Sequence, residues 1–373
     1  LTKGIFKFMS DSKSQKSFKE LVDTLSEIDS RFLSEEWSIT SSQDRALGYR
    51  YVMHVLQSAL LSHFEGDPEW PEWQRIVSPT RKFTGDNSDA IYYETPIRGD
   101  RSYRITGNIS GAVYTSFTIE ANAEDGKYAT NNAGVFNDED LEIDEDGNYE
   151  LILGGPEVEK NWMPLPTNAG RITTRHYFEW PVPCAAEPSL HIPLTIEPLD
   201  NPTPIPPWSD ETVEQAISRA VNHLKGKTLQ SPKPGHAATP SWVGKEPNMF
   251  PMPEMPGDLA FAAVDAAYSM GRFYLEPGKA LIMTGRWPEC KFGNVCVWNR
   301  FGQTLDYRHR NVSLNRSNTV LESDGTFRIC VSSVKPSEPN WLDTEGLAYG
   351  SIFWRFFLPS GDLYPINTEL VDL

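Results

Sequence analysis

Apolar residues recur at three- and four-residue steps over the first sixty positions, and the spacing predicts helices there. Phe18, Leu21, Val22, Leu25, Ile28 and Phe32 mark one apolar face. Ser41, with Asp44 three residues on, predicts the N-cap of a second helix whose face carries Leu47, Tyr51, Val55, Ala59 and Leu60. Past Pro68 the period changes. From Tyr92 to His191, alternating runs such as Tyr103-Arg-Ile-Thr-Gly107 and Val113-Tyr-Thr-Ser-Phe-Thr-Ile119 are separated by Gly, Asn and Asp, which is strand-and-turn chemistry. Ser209 predicts the cap of a third helix, with Asp210 and Glu211 in its first turn, Val213, Ile217, Ala220 and Leu224 on its apolar face and Gly226 at its end. A proline-rich loop follows over residues 227–258. A loop that long in a compact chain is a lid, a binding loop or an arm reaching a neighbour. A second strand-rich block runs from about Phe273 to the end.

The two strand-rich blocks repeat each other. Thr106-Gly107 matches Thr284-Gly285, Asp146-Gly147 matches Asp324-Gly325, Asn161-Trp162 matches Asn340-Trp341, and Arg175 matches Arg355, at offsets of 178 to 180. That is too long a period for a solenoid. Two copies of one β module are expected, each a jelly-roll-like sandwich. The predicted fold is therefore mainly β: an N-terminal helical segment (1–78), a first β-sandwich (79–200), a linking helix and proline-rich loop (201–258), and a second β-sandwich (259–373).

Composition narrows the partners. The 373 residues carry 34 Lys+Arg against 51 Asp+Glu, a formal charge of −17. That balance argues against a nucleic-acid partner, whose binding rests on basic residues, and against an anionic membrane surface. No run reaches the ~18 apolar residues of a membrane helix. The opening Leu1-Thr-Lys-Gly-Ile-Phe-Lys-Phe-Met9 is too short and mixed for a secretory apolar core. Cys184, Cys290, Cys296 and Cys330 form no CxxC pair and read as reduced thiols, so a cytoplasmic protein is expected. A symmetric homo-oligomer is the base-rate expectation.

The densest polar cluster is Asp306-Tyr-Arg-His-Arg310, with Ser313 and Asn315 nearby. Read as a strand, it places Asp306, Arg308 and Arg310 on one face, and Tyr307 and His309 on the other. His309 has the pKa range of a general acid or base, Asp306 would orient it or a substrate, and Arg308 would clamp an anion. Asp343 belongs to the second copy alone, the first having Pro164, and could pair with Arg308 or Arg355 or donate a proton. The neighbouring Asn340-Trp341 has a copy and reads as architecture as readily as substrate contact. Asp86 and Asp89, with Asn87 between them, offer oxygens to a hard cation or close Asx turns. The acidic run through Asp144 and Asp146 fails the EF-hand register and reads as a solvated hairpin. No nucleotide-binding glycine motif, Gly-x-Ser-x-Gly or His-Glu-x-x-His is present, so no organic cofactor is expected and a divalent cation at Asp86 and Asp89 is the one inorganic alternative.

Leu305-Asp-Tyr-Arg-His-Arg310, Ser313-Leu-Asn315, Asp324-Gly325 and Asn340-Trp-Leu-Asp-Thr344 resemble the bacterial domain-of-unknown-function family 1214, which is associated with family 1254. Arg45 to Tyr51, Pro79-Thr-Arg-Lys82 and Gly85-Asp-Asn87 resemble its single-chain members. The resemblance implies paired jelly-roll-like domains and no established activity. The family pattern places a His after the Gly of the 340–346 block, where this chain has Leu347.

The expected function is an acid/base enzyme of lyase, isomerase or cyclase type, free of organic cofactor. Its substrate would be a small hydrophobic oxygenated molecule such as a terpenoid, steroid or lipid. The pocket would lie between the sandwiches under the helices and the proline-rich loop, with His309, Asp306, Asp343 and Tyr307 catalytic and Arg308, Arg310, Asn315, Arg355 and Trp341 binding. The alternatives are a non-catalytic ligand-binding or assembly protein, and a magnesium enzyme on a phosphorylated prenyl lipid.

Overall fold

The computed structural model describes residues 12–234, 239–257 and 262–373. Gly235, within the proline-rich loop, lies outside them. Helix α1 (Lys13–Glu27) starts at Ser12, and α2 (Ser42–Ala59) at Ser41, whose hydroxyl accepts the Asp44 amide as the capping pattern predicts. Helix α3 (Asp210–Lys227) carries a reciprocal Ser209–Thr212 capping box and runs one residue past Gly226. The Asp210 carboxylate also accepts the Lys13 and Ser14 amides, so the first residue of α3 caps α1 as well. Of the expected face, Leu21, Leu25, Ile28 and Phe32 pack in the helical core, whereas Phe18 and Val22 are exposed and Ser17 and Thr24 are buried in their place.

The first module contains β1 (Gln74–Arg75), β2 (Ala90–Pro96), β3 (Tyr103–Asn108), β4 (Tyr114–Ala121), β5 (Asn132–Asn137), β6 (Asn148–Leu153), β7 (Trp162–Met163), β8 (Ala169–Tyr177) and β9 (Leu194–Pro198). The second contains β10 (Ala266–Tyr274), β11 (Lys279–Gly285), β12 (Phe292–Trp298), β13 (Ser313–Asn315), β14 (Phe327–Ser332), β15 (Trp341–Asp343), β16 (Tyr349–Phe357) and β17 (Asn367–Asp372). The chain is mainly β, in four sheets ordered β1-β2-β8-β4-β5, β7-β6-β3-β9, β10-β16-β12-β13 and β15-β14-β11-β17. Apart from β1, the two pairs of sheets are topologically identical, including the parallel β6–β7 and β14–β15 pairs.

Alternation assigns the faces. In the first sandwich, Phe117, Ile119 and Ile172 pack on Ile105, Leu151 and Leu153. In the second, Val295, Val297, Ile352 and Trp354 pack on Leu281, Met283 and Ile329. The intervening residues of the same strands, Tyr92, Tyr114 and Tyr177 against Tyr268, Phe292 and Phe357, form a third core between the two larger sheets. The stack is thus four sheets deep with aromatic residues at its centre, where two near-identical faces meet.

The joint is reciprocal. Asn137 on β5 donates to Asp265 at the foot of β10 (2.6 Å), and its counterpart Asn315 on β13 donates to Asp89 at the foot of β2 (3.4 Å). The backbone carbonyls of Asp89 and Asp265 accept the amides of Phe178 and Leu358, each just past the central strand of its own module. The repeated Asn-Trp pair is architectural in both copies. Asn161 bonds the backbone of Glu142 and Asn340 that of Val320, while the indoles of Trp162 and Trp341 donate to Gly154 O and Ser332 O.

Candidate functional site

The expected cluster at 306–310 is a turn, not a strand. Asp306 Oδ1 accepts the Arg308 amide (3.2 Å) and its carbonyl accepts the amides of His309 and Arg310, which closes the chain on itself and cancels the alternation. Tyr307 points inward beneath the Lys82 ammonium, 3.2 Å from its ring centre, whereas Arg308, His309 and Arg310 are exposed. Asp343 is buried and held by Arg310 Nη1 (2.7 Å), rather than by Arg308 or Arg355. Asn315 spends its amide on Trp180 O and Asp89, and its Oδ1 on Ser317 and Asn318. None of Asp306, Tyr307, His309 and Asp343 lines the cavity between the sandwiches.

That cavity, of about 250 Å³, opens among β2, β8, β10, β12 and β16. The proline-rich loop reaches it: Trp242 lines it, held where Val243 bridges Met270 of β10. Its other walls include Tyr92, Tyr177, Tyr268, Trp298 and Phe353. Among the described residues three charged side chains line it, Asp86, Arg175 and Arg355. Of the residues expected to bind substrate, Arg355 alone is among them.

The two arginines occupy one position of the repeat. Arg175 lies between Tyr92 and Ser116 in its sheet, and Arg355 between Tyr268 and Asn294. Both are buried, at 5 % and 3 % exposure. Their partners differ. Arg175 Nη1 donates to Thr118 Oγ1 (2.5 Å), and the Glu120 carboxylate attracts it. The counterpart of Glu120 in the second copy is Trp298, paired to β16 as Glu120 is to β8. Arg355 accordingly has an aromatic bed instead of a carboxylate: its guanidinium lies 4.2 Å from the Phe353 ring centre and 5.0 Å from that of Trp298. Nη2 donates to Gly85 O (2.7 Å), and the buried Nη1 has no hydrogen-bond partner among the described residues.

Asp86 does not complete that set. Its two oxygens accept the amide and hydroxyl of Thr304, each at 2.7 Å, and Lys82 Nζ donates to the same hydroxyl (3.0 Å). Burial pushes the Asp86 carboxyl up and pulls Lys82 down to about 8. Asp89, the other half of the expected cation pair, faces Asn294 and Asn315, and burial pushes it up to about 7. Asn87 Oδ1 accepts the Asp89 amide, which is the Asx turn. Among the described residues no three His, Cys, Asp or Glu side chains gather as a metal site would require.

The phenols supply the remaining polar groups. Tyr92 and Tyr177 hydrogen-bond each other at 2.9 Å. Burial raises both, and Tyr268 rises to about 12, so all three stay protonated near neutrality. The cavity therefore presents donors and positive charge within aromatic walls.

The chain shares its fold with an uncharacterised protein of Burkholderia cenocepacia. The two are 24% identical over 96% of this chain and 97% of that one, with a TM-score of 0.81. The VPA0106 protein of Vibrio parahaemolyticus is also similar, at 12% identity over 86% and 98% of the chains, with a TM-score of 0.47. No family model matches the chain, and no curated protein does. The resemblance to family 1214 rests on the residues quoted for it.

A second buried polar cluster, unanticipated from the sequence, lies under α3. Arg171 donates to His63 Nδ1 (2.8 Å) and pairs with Glu94 (3.5 Å); His63 stacks on His223, and Lys227 turns in beside them. His63, His223 and Lys227 come from helices and Glu94 and Arg171 from β2 and β8, so no local spacing announces the group.

Proposed function

We propose that the cavity between the sandwiches receives a small, largely apolar molecule bearing one carboxylate, and that Arg355 is its anion partner. The observation that carries this reading is the buried Nη1 of Arg355. Burying this cation is costly: the Asp86 carboxylate attracts it but spends its hydrogen bonds on Thr304, and stacking on Phe353 and Trp298 offsets only part of the cost. A ligand carboxylate would complete it with a charge-assisted bond in a water-poor site. The aromatic walls match the rest of such a ligand, and the volume lies below the ~300 Å³ at which drug-sized pockets begin, which favours a small one.

The acid/base enzyme expected from the sequence keeps one support. The Tyr92–Tyr177 pair faces the same space with its protons in place and could donate to a carbonyl or alkoxide oxygen. His309 and Asp343 do not contribute to that chemistry.

The test is calorimetric titration with 3-phenylpropanoate and its methyl ester. The acid should bind and the ester should bind at least tenfold more weakly. Arg355→Met should lower affinity for the acid by about 10- to 100-fold, the worth of a buried charged hydrogen bond, and leave the ester unaffected. Equal binding of acid and ester by the wild type would sink the anion reading.

A further inference from the structure

A groove of about 610 Å³ opens between the turn that follows α2, the end of β2 and the first half of α3. It shares no lining residue with the cavity that holds Arg355. Its size lies within the ~300–1,000 Å³ of small-molecule sites. The stretch before α3 passes along it, with dihedrals fixed by Pro202, Pro204, Pro206 and Pro207. Thr203 ties that stretch down: its carbonyl accepts the Trp70 indole (2.9 Å) and its amide donates to Glu69 Oε2 (3.2 Å). Trp70 and Trp208 both line the groove and stay 40 % and 56 % exposed. Each is nevertheless held, Trp70 by Thr203 and Trp208 by stacking on Phe64 with ring centres 6.0 Å apart. Two indoles fixed in the open present flat apolar faces to whatever enters.

The polar groups there are of opposite kinds. Glu65, Asp67 and Glu72 supply carboxylate acceptors, and neither Glu65 nor Glu72 makes a hydrogen bond or ion pair among the described residues. Arg219 supplies a donor. Its Nε and Nη2 donate to His63 O (2.7 Å) and Phe64 O (2.9 Å), the carbonyls that end the turn after α2. Those bonds fix the guanidinium, and Nη1 has no hydrogen-bond partner among the described residues. Asp67 and Glu65 attract it from a distance without an ion pair. Ser62, 2 % exposed, also lines the groove, and its hydroxyl has no partner among the described residues.

This mixture selects a ligand. An ammonium group only donates, so it would satisfy the carboxylates, meet the charge of Arg219 and leave Nη1 unbonded. A carboxylate or phosphate only accepts, so it would meet three like charges. A hydroxyl does both. We propose that the groove is a carbohydrate-binding site, with pyranose rings laid on Trp70 and Trp208 and their hydroxyls shared among Glu65, Glu72 and Arg219. The C–H face of the sugar covers the exposed indoles, and no covalent step is involved. The inference is independent of Arg355 and its anion.

Saturation-transfer NMR and calorimetry on the intact protein test it, with cellobiose, maltose and N,N′-diacetylchitobiose as probes. At least one should bind, with the strongest saturation on the C–H protons of one sugar face. Trp208→Ala should lower its affinity about tenfold, the worth of a lost stacking face. The melting temperature should be retained, because that ring is mostly exposed. Glu72→Gln should cost about fivefold, the difference between a charged and a neutral acceptor. Arg355→Met should bind the sugar unchanged, so this result and the anion reading stand or fall separately. Binding of none of the three sugars would overturn the proposal, as would binding that both Trp70→Ala and Trp208→Ala leave intact. Tetramethylammonium taken up in place of every sugar would overturn it in favour of a cation site.

Discussion

Arg175 and Arg355 are the same residue of the same module, on equivalent strands and in equivalent register, yet they stand in opposite electrostatic situations. In the first copy a glutamate in the neighbouring strand attracts the guanidinium. In the second a tryptophan replaces that glutamate, and the guanidinium rests on aromatic faces with one nitrogen unbonded among the described residues. One position, 120 against 298, sets a carboxylate near one guanidinium and an indole against the other. A buried arginine is thus not functional by being buried; what its neighbour leaves undone decides.

The widest gap should appear on truncating the two arginines. Arg175→Met removes the bond to Thr118 and a cation near the buried Glu120, and should cost about 3 kcal/mol of stability in denaturant unfolding. A cost below 1 kcal/mol would mean that the first copy is as electrostatically open as the second. Intermediate in size is a pH effect at the joint. Burial raises Asp89 to about 7, above its unfolded value, so the folded state holds the proton more tightly. Its contribution is full below the unfolded pKa, near 4, and declines as pH rises towards 7. Asp89→Asn should therefore gain on the wild type by roughly 2 kcal/mol between pH 5 and pH 8; a constant difference would show that Asp89 does not titrate there. The smallest effect belongs to Arg355→Met without ligand. Relief from burying a cation offsets the lost bond to Gly85 O, and stability should stay within about 1 kcal/mol of wild type.

The sequence showed the framework and did not show which polar groups the fold gathers. The repeat landmarks, the Ser41 and Ser209 caps and the tandem sandwiches were legible because each depends on local pattern. Arg175 and Arg355 were visible as a matched pair, but their difference needs the residue one strand away, which no local spacing supplies. The 306–310 segment misled because Leu305 and Tyr307 are both buried and imitate alternation, while an Asx turn at Asp306 folds the polar residues into solvent. At Phe18 and Val22 alone, the α1 pattern misled for a complementary reason. Its contact is set by the Asp210 cap and by small residues such as Ser17, so burial there follows docking rather than hydropathy.

The reciprocal Asn137–Asp265 and Asn315–Asp89 contacts place the two modules against each other as subunits of an isologous dimer would stand. Two identical chains so arranged would carry any substitution on both sides of their axis. A glutamate beside one guanidinium would stand beside both, and so would a tryptophan. Carrying both halves in one polypeptide removes that obligation. One half can keep a carboxylate near its guanidinium while the other sets an indole there.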